Sequence, residues 1–363
     1  VVSPDCLNWT KLGHDPADFP SGDAGTLTYD RDNKQFLGLL KFKSEYGRAY
    51  KLTTSTDFEN WTEPRFLFST DEEDQKLAVE SIRKRLADPA LAKPLFVHPD
   101  PSLGWREPDP PPWRGDPVWC AECYNMGVFP YEGLHLATLM IYYPTGQSLP
   151  EGRNCDAFHY LQLAMTRDLQ NWIRLGNREP FIGPSPLTKG TVGNYDRLQL
   201  QTTNQPVDRG DELWFYYEGM KRRVPQHDRW SDGSPRDPST LSPEERADWI
   251  DDTHSAVYVA ILRKDGFVSL DADANGGHIL TRPIKWRGDH LFLNLDAPTG
   301  SAQIEFLDEN GTPIPGLSGS DAPIAHGDTI NLSVTQNLSR LQNQIVQLKI
   351  HLDNAQLYAF WTQ

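Results

Sequence analysis

Cysteine is scarce, basic charge is in deficit, and long apolar runs are missing. Four Cys in 363 residues cannot staple a disulfide scaffold. The 35 Lys and Arg are outnumbered by 50 Asp and Glu, for a net charge of −15. That balance excludes the basic stripe of a nucleic-acid binder and disfavours attachment to anionic membranes. No eighteen consecutive residues are apolar, so the sequence predicts no membrane-spanning helix. Walker loop, dinucleotide fingerprint and Gly-x-Ser-x-Gly elbow are all absent. No Met and no basic start with an apolar core open the chain. Val1 to Thr10 reads as the end of a strand and a turn, and the expectation is a chain whose beginning is missing.

What is present is apolar and turn-rich. Hydrophobic residues make up 38% and aromatics 11%, enough for a core and against global disorder. The 27 Gly and 29 Pro point to many turns and therefore many short strands. The length suits one large or two ordinary domains.

An internal repeat organises the chain. Asp5, Asp57 and Asp168 are each followed four residues later by a Trp: Trp9, Trp61 and Trp172. Short apolar or Thr-rich runs precede the later two, Tyr50 to Thr54 and Tyr160 to Thr166. This predicts a strand, a turn capped by the Asp side chain, and a second strand opened by a Trp packed in the core. The unit starts also match: Asp23 to Asp30, Glu122 to Pro130 and Leu198 to Val207 each lead through a polar turn into a second strand. Each unit reads as a four-stranded antiparallel meander, the blade of a β-propeller.

Two insertions break the repeat. Residues 71–117 begin with a helical stretch, Asp71 to Leu86, and continue into Pro-rich chain that must be irregular. Residues 221–252 are charged, and Ser242 with Glu245 suggests a capped helix. Long loops on one rim of a propeller commonly line binding sites. After Leu270 the repeat stops. Leu291–Leu295, Ala302–Leu307, Ile345–Leu352 and Leu357–Trp361 alternate, and Asn310-Gly311 is a hairpin signal. The expected fold is therefore all-β: a propeller over 1–274 and a separate β-sandwich over 275–363.

With these hairpins, this blade order and the appended sandwich, the chain resembles the five-bladed β-propeller glycosidases of the invertase, fructanase and arabinanase type. It is similar in particular to bacterial proteins labelled glycoside hydrolase family 32-like. The stretch from Asp265, Gly266 and Phe267 through Gly276, Gly277, Thr281, Arg282 and Pro283 to Leu291 and Asn294 resembles their junction into the sandwich. The resemblance implies three acidic groups facing a central cavity. Glu122 and Cys123, ahead of Val128, Phe129 and Pro130, resemble the element carrying the general acid. Asp23 resembles the supporting Asp, but Gly22 and Ala24 stand where the family has Arg and Pro. No first-blade nucleophile motif is visible, so that carboxylate and its blade are expected upstream of residue 1.

Glycoside hydrolysis needs one carboxyl to protonate the leaving oxygen and a second to attack C1 or activate water. Glu122 is the candidate acid, beside Trp119 and Tyr124, which would desolvate it; a strand-end Glu in a salt bridge is the competing reading. Asp23 is the second catalytic candidate, to hold a sugar hydroxyl or tune the acid, against a simple turn Asp. Asp196 and Arg197 open the next blade at the matching position and are candidates for sugar binding, against a structural Asp–Arg pair. Arg48 and His159, in second-strand regions, are candidates to reach sugar hydroxyls. Trp119 and Tyr124 are candidates to stack on sugar rings, as are Trp113 and Trp230, with core packing as the alternative for each.

Cys120 and Cys123 form a Cys-x-x-Cys pair, but the other two Cys, Cys6 and Cys155, are remote, so no metal site is expected. A Cys155 disulfide to Cys120 or Cys123 stays open for an exported protein, as does a structural Ca²⁺ in the channel. No cofactor is expected. The substrate would be an oligo- or polysaccharide, and the location secreted or periplasmic. Two other functions stay open. A glycoside phosphorylase would use the basic cluster of Lys221, Arg222, Arg223 and His227, and a propeller could bind carbohydrate without turnover.

Overall fold

The computed structural model describes residues 3–5, 7–10, 25–87, 121–147, 155–185, 196, 198–202, 205–220, 242–243, 255–334 and 337–363. They fall into two units: Val1–Pro206 with Phe215–Ala260, and Val207–Trp214 with Ile261–Gln363. The described elements are almost all strands, with one α-helix.

The first unit opens with a four-stranded antiparallel meander: β1 (Thr26–Asp30), β2 (Gln35–Ser44), β3 (Gly47–Ser55) and β4 (Arg65–Phe68). Helix α1 (Glu72–Ala87) follows, inside the stretch expected to be helical. A second meander is built from β5 (Glu122–Tyr131), β6 (Leu134–Gln147), β7 (Cys155–Thr166) and β8 (Ile173–Arg174). The β5–β6 turn is Glu132-Gly133, both at positive φ, which matches the twist of the two strands it joins. Both meanders have the order of a propeller blade.

The third expected meander departs from the pattern. Its first strand is two short pieces, β9 (Gln199–Gln201) and β10 (Val207–Asp208), rather than one run from Leu198 to Val207. Pro206 has no N–H to give to a ladder. β11 (Glu212–Met220) and β12 (Ser255–Arg263) follow, and β12 pairs with β11. β9 does not start a separate sheet. β8 covers β7 only at Ala164 and Met165, so the rest of that edge is open. Leu161 bridges Ile182 there, and His159 pairs in parallel with Gln199. The second and third meanders thus share one hydrogen-bonded sheet.

The turn repeat carries more than Asp and Trp. Asp57 Oδ1 accepts from the backbone N–H groups of Glu59 and Asn60 at 2.9 and 2.8 Å, and from Ser55 Oγ. Its Oδ2 accepts Asn60 Nδ2 at 2.8 Å. Asp168 repeats this with Gln170, Asn171 and Thr166, and Asp5 with Leu7, Asn8 and Ser3. The motif is Ser/Thr-x-Asp-x-x-Asn-Trp. The Asn donors, backbone and side chain, hold all three carboxyls well below the usual carboxylate range. The Trp rings differ from one another, contrary to the expectation of a core position for each. Trp172 packs on the core, Trp61 is half-buried with Nε1 donating to the Phe58 carbonyl, and Trp9 is exposed.

The core of the first unit gathers Leu37, Leu39, Tyr50 and Leu52 from the first meander with Met126, Leu139, Ile141 and Phe158 from the second. Ala78 and Ile82 bring one face of α1 onto it. The helix is also tied by charge: Arg174 Nη1 donates to both oxygens of buried Asp74 at 2.8 and 2.7 Å, and Arg178 reaches Asp71 and Asp74.

In the second unit, β10 pairs with Leu213 and Trp214. The rest is a seven-stranded sheet of β13 (Leu270–Ala272), β14 (Gly277–Leu280), β15 (Ile284–Lys285), β16 (Leu291–Asp308), β17 (Ile324–Val334), β18 (Ile345–Asp353) and β19 (Ala355–Thr362). The runs at 291–295 and 302–307 are one strand. β16 pairs β19 through its first half and β18 through its second, with register shifts where it bends. Its core includes Trp286, Leu293, Ile304, Phe306, Leu348 and Ile350. Asn294 is fully buried and donates from Nδ2 to the Lys264 carbonyl at 2.6 Å, which ties the start of the unit to β16.

Candidate active site

Glu122 is the first residue of β5 and is only 1% exposed. Three pairings place it in a row across four strands. Glu122 faces Tyr142 on β6, Tyr142 faces His159 on β7, and His159 faces Gln199 on β9. Directly opposed residues project from the same face of a sheet. The row therefore brings together side chains 77 positions apart in sequence.

Local backbone chemistry holds the start of β5. The pairing register shifts between Cys123 and Asn125, so Tyr124 is a bulge. A bulge leaves a carbonyl outside the ladder and re-aims the adjacent side chains. Here Tyr50 Oη donates to the Tyr124 carbonyl at 3.0 Å. On the other side, the Gln75 side chain of α1 acts as a one-residue strand. Its Nε2 donates to the Ala121 carbonyl at 2.8 Å, and its Oε1 accepts the Ala121 N–H at 3.1 Å. The insertion thus serves the site by fixing the residue before Glu122.

The Glu122 carboxyl rests on the β2–β3 turn. Arg48 Nη1 donates to Oε2 at 2.6 Å and Arg48 N–H to the same oxygen at 3.2 Å. Oε1 is buried and has no hydrogen-bond partner among the described residues. Gly47 makes the approach feasible: a Cβ there would lie 2.7 Å from Glu122 Cδ. Burial opposes the charge on Arg48, but the Glu122 carboxylate outweighs it and raises the guanidinium pKa above its ordinary value.

Aromatic rings wall the pair. The Tyr124 ring lies 4.8 Å from His159 and 5.7 Å from Tyr142, with which it is stacked. Lys41 Nζ sits 4.2 Å from the Tyr124 centroid, and the Arg48 guanidinium lies 5.1 Å from both tyrosine rings. Tyr124 is in this way engaged on its faces by protein groups. His159 is 1% exposed.

A second buried carboxyl, Asp196, sits before β9. Tyr217 Oη on β11 donates to its Oδ2 at 2.9 Å, and Ser185 Oγ donates to the same oxygen. Oδ1 is buried without a partner among the described residues. Gly219 plays the part of Gly47, since a Cβ there would stand 2.6 Å from the Asp196 Cβ. Burial, and then the nearby Asp196 carboxylate, push the Tyr217 hydroxyl pKa up.

The structure thus brings Glu122, Arg48, Tyr124 and His159 together and buries Asp196 just ahead of β9. Asp23, Trp119 and Arg197 lie outside the described residues, as do Trp113, Trp230, Cys120, the basic cluster Lys221, Arg222, Arg223 and His227, and the helix expected after Ser242. The Cys123–Cys155 pairing is corrected: Cys123 is a free, buried thiol, and burial pushes its pKa up to about 12. Among the described residues no three His, Cys, Asp or Glu side chains are placed to hold a metal ion, and no helix is long and apolar enough to cross a membrane. A cavity of about 640 Å³ opens beside α1, lined by Phe66, Phe68, Trp172 and Arg178, but neither Glu122 nor Asp196 lines it.

Residue-by-residue reading missed Tyr142, Lys41, Gly47, Gln75, Tyr217 and Gly219. Only Gly47 carried a sequence signal, a Gly at the mouth of a hairpin; the others become visible through register and packing.

No protein-family model and no curated protein matches the sequence. Solved structures do. One described as a glycoside hydrolase is 13% identical, with a TM-score of 0.27 over 54% of this chain and 41% of its own. A glycosyl hydrolase from Bacteroides ovatus is 12% identical, with a TM-score of 0.21 over 54% of this chain and 59% of its own. A Bombyx mori GH32 beta-fructofuranosidase is 11% identical, with a TM-score of 0.24 over 92% of this chain and 78% of its own. The chain spans less than half the length of the first of these. At these identities and TM-scores the likeness assigns no residue a role.

Proposed function

We propose that this chain is a glycoside-processing enzyme, a hydrolase of oligo- or polysaccharide, with Glu122 as its general acid. One observation carries the reading: a carboxyl at a strand start, braced by Arg48 through one oxygen and walled by Tyr124, Tyr142 and His159. The Glu122-Cys123 element of the resembling family falls on that same carboxyl. Asp196 is the second carboxylate available to bind a sugar hydroxyl. On this reading Asp23 holds a sugar hydroxyl or tunes the acid, the meanders are blades of a five-bladed propeller, residues 275–363 form a sandwich, and the protein is exported to meet its glycan.

The test compares wild type with Glu122→Gln on a panel of aryl glycosides and polysaccharides. Loss of turnover by about 10²–10⁴-fold in the variant is expected for a general acid. Full activity in Glu122→Gln would end the assignment.

A second reading has its own observation. Glu122 is almost wholly buried and ion-paired, which suits a propeller that binds glycan without turnover. Glycan affinity with no hydrolysis, equal in wild type and Glu122→Gln, would select it. A phosphorylase would instead release sugar phosphate only when phosphate is supplied.

A further inference from the structure

We propose that Gly47 and Arg48 form a positioning clamp that makes Oε1 of Glu122 the proton-bearing oxygen of the site; this rests on the glycosidase reading above. Arg48 spends two donors, N–H and Nη1, on the single oxygen Oε2. The opposite oxygen, Oε1, is buried and without a hydrogen-bond partner among the described residues. Gly47 stands at φ +84°, and a Cβ on it would lie 2.7 and 2.8 Å from Glu122 Cδ and Cγ. No residue other than glycine lets the carboxyl lie against this turn.

The chemistry follows from the occupancy of the two oxygens. Two N–H donors fill the lone pairs of Oε2, so a proton there would displace one of them. The proton therefore sits on Oε1. In the reaction the Oε1–H bond breaks as the proton passes to the glycosidic oxygen. The C1–O bond breaks with its electron pair going to that same oxygen, and a water molecule supplies the pair that forms the new C1–O bond, losing a proton to a base. The carboxylate left behind carries its negative charge towards Oε2, where the guanidinium and its two donors receive it. Arg48 thus acts through Glu122 and is a positioning residue rather than a sugar ligand. The charged and titratable groups around the carboxyl are Arg48 from β3, Tyr124 from its own strand, Tyr142 from β6, His159 from β7, and Lys41 from β2 over the Tyr124 ring.

The experiment uses phenyl and 2,4-dinitrophenyl glycosides, which need strong and weak acid assistance respectively. Arg48→Met is expected to lower kcat on the phenyl glycoside by about 10²-fold and on the dinitrophenyl glycoside by less than about threefold. Arg48→Lys restores part of the lost kcat on the phenyl glycoside. Gly47→Ala shows the same leaving-group dependence as Arg48→Met. Circular dichroism checks that each variant folds, and if Arg48→Met does not, Arg48→Lys and Gly47→Ala carry the readings. A uniform rise in KM on both glycosides, with kcat unmoved, would make Arg48 a sugar ligand. That result overturns the clamp while the glycosidase reading stands. A wild type that turns over no glycoside, or an active Glu122→Gln, removes that reading and the clamp with it.

Discussion

The Cα of Gly219 lies so close to Asp196 that a Cβ would stand 2.6 Å from the Asp196 Cβ and 2.7 Å from its Cα. The backbone and Cβ of a buried aspartate have taken the space that a side chain on β11 would fill. Gly219→Ala is expected to destabilise the fold by about 1–3 kcal/mol, the usual cost of overpacking. Urea unfolding measures it. A variant as stable as wild type would mean that β9 and β11 can part at no cost.

Asp74 and Arg174 are both nearly buried, with side chains 4% and 9% exposed, and meet at 2.7 Å. Removing Arg174 takes two donors from the buried carboxylate and leaves Arg178 Nη1, at 2.9 Å, as its cationic partner. Arg174→Ala should therefore cost less than the about 3–5 kcal/mol of a fully orphaned buried charge, or release α1 from the sheet. Hydrogen exchange across 72–87 distinguishes the two outcomes: global loss raises exchange everywhere, while helix release raises it there alone.

Gln75 is the hydrogen-bond partner of both backbone groups of Ala121. Gln75→Leu keeps the bulk and removes both bonds. The Ala121 carbonyl keeps Thr70 Oγ1 as a donor at 3.2 Å, but the N–H loses its partner at a cost of about 1–3 kcal/mol, so amide exchange at Ala121 should accelerate at least tenfold. Unchanged protection would show that α1 does not brace the strand carrying Glu122.

Acid should loosen the helix before neutral pH does. The Arg178 side chain, chiefly through its hydrogen bonds, holds the Asp71 carboxyl down at about 2, although burial works the other way. A depressed carboxylate contributes stability that is complete above its unfolded value of about 3.9 and is lost as pH falls through the folded one. Melting temperature should therefore fall between pH 4 and pH 2, and fall less steeply in Asp71→Asn. Equal slopes in the two proteins would remove Asp71 from the acid response.

Cys123 is fully buried with its thiol pushed up to about 12. The thiolate is the reactive species, so Cys123 should resist iodoacetamide at pH 8 in the folded protein and react in denaturant. Mass spectrometry of the Cys123 peptide reads both states.

Much of the frame was legible in the sequence because its signals are local. Asp57 and Asp168 cap their turns within three residues, so spacing alone located the hairpins. The Asn of the motif, at positions 8, 60 and 171, was equally regular but was overshadowed by the Trp. The Trp rings then diverged, since ring burial depends on what stands opposite and not on the turn. The third unit was over-regularised: alternation cannot say that β8 is too short to cover β7, which is what admits β9 to the same sheet.

The sequence by itself determined the all-β class, the hairpin positions and helix α1. Each of these rests on periodicity or on side chains that bond their own backbone. Only the tertiary structure decided what Glu122 meets. Arg48 is 74 positions upstream, and Gly47 matters only because the turn that carries it lands on the start of β5. Tyr142, His159 and Gln199 share its row through register alone. A carboxyl's chemistry is set by which donors reach which of its oxygens, and that is a property of strands far apart in the chain.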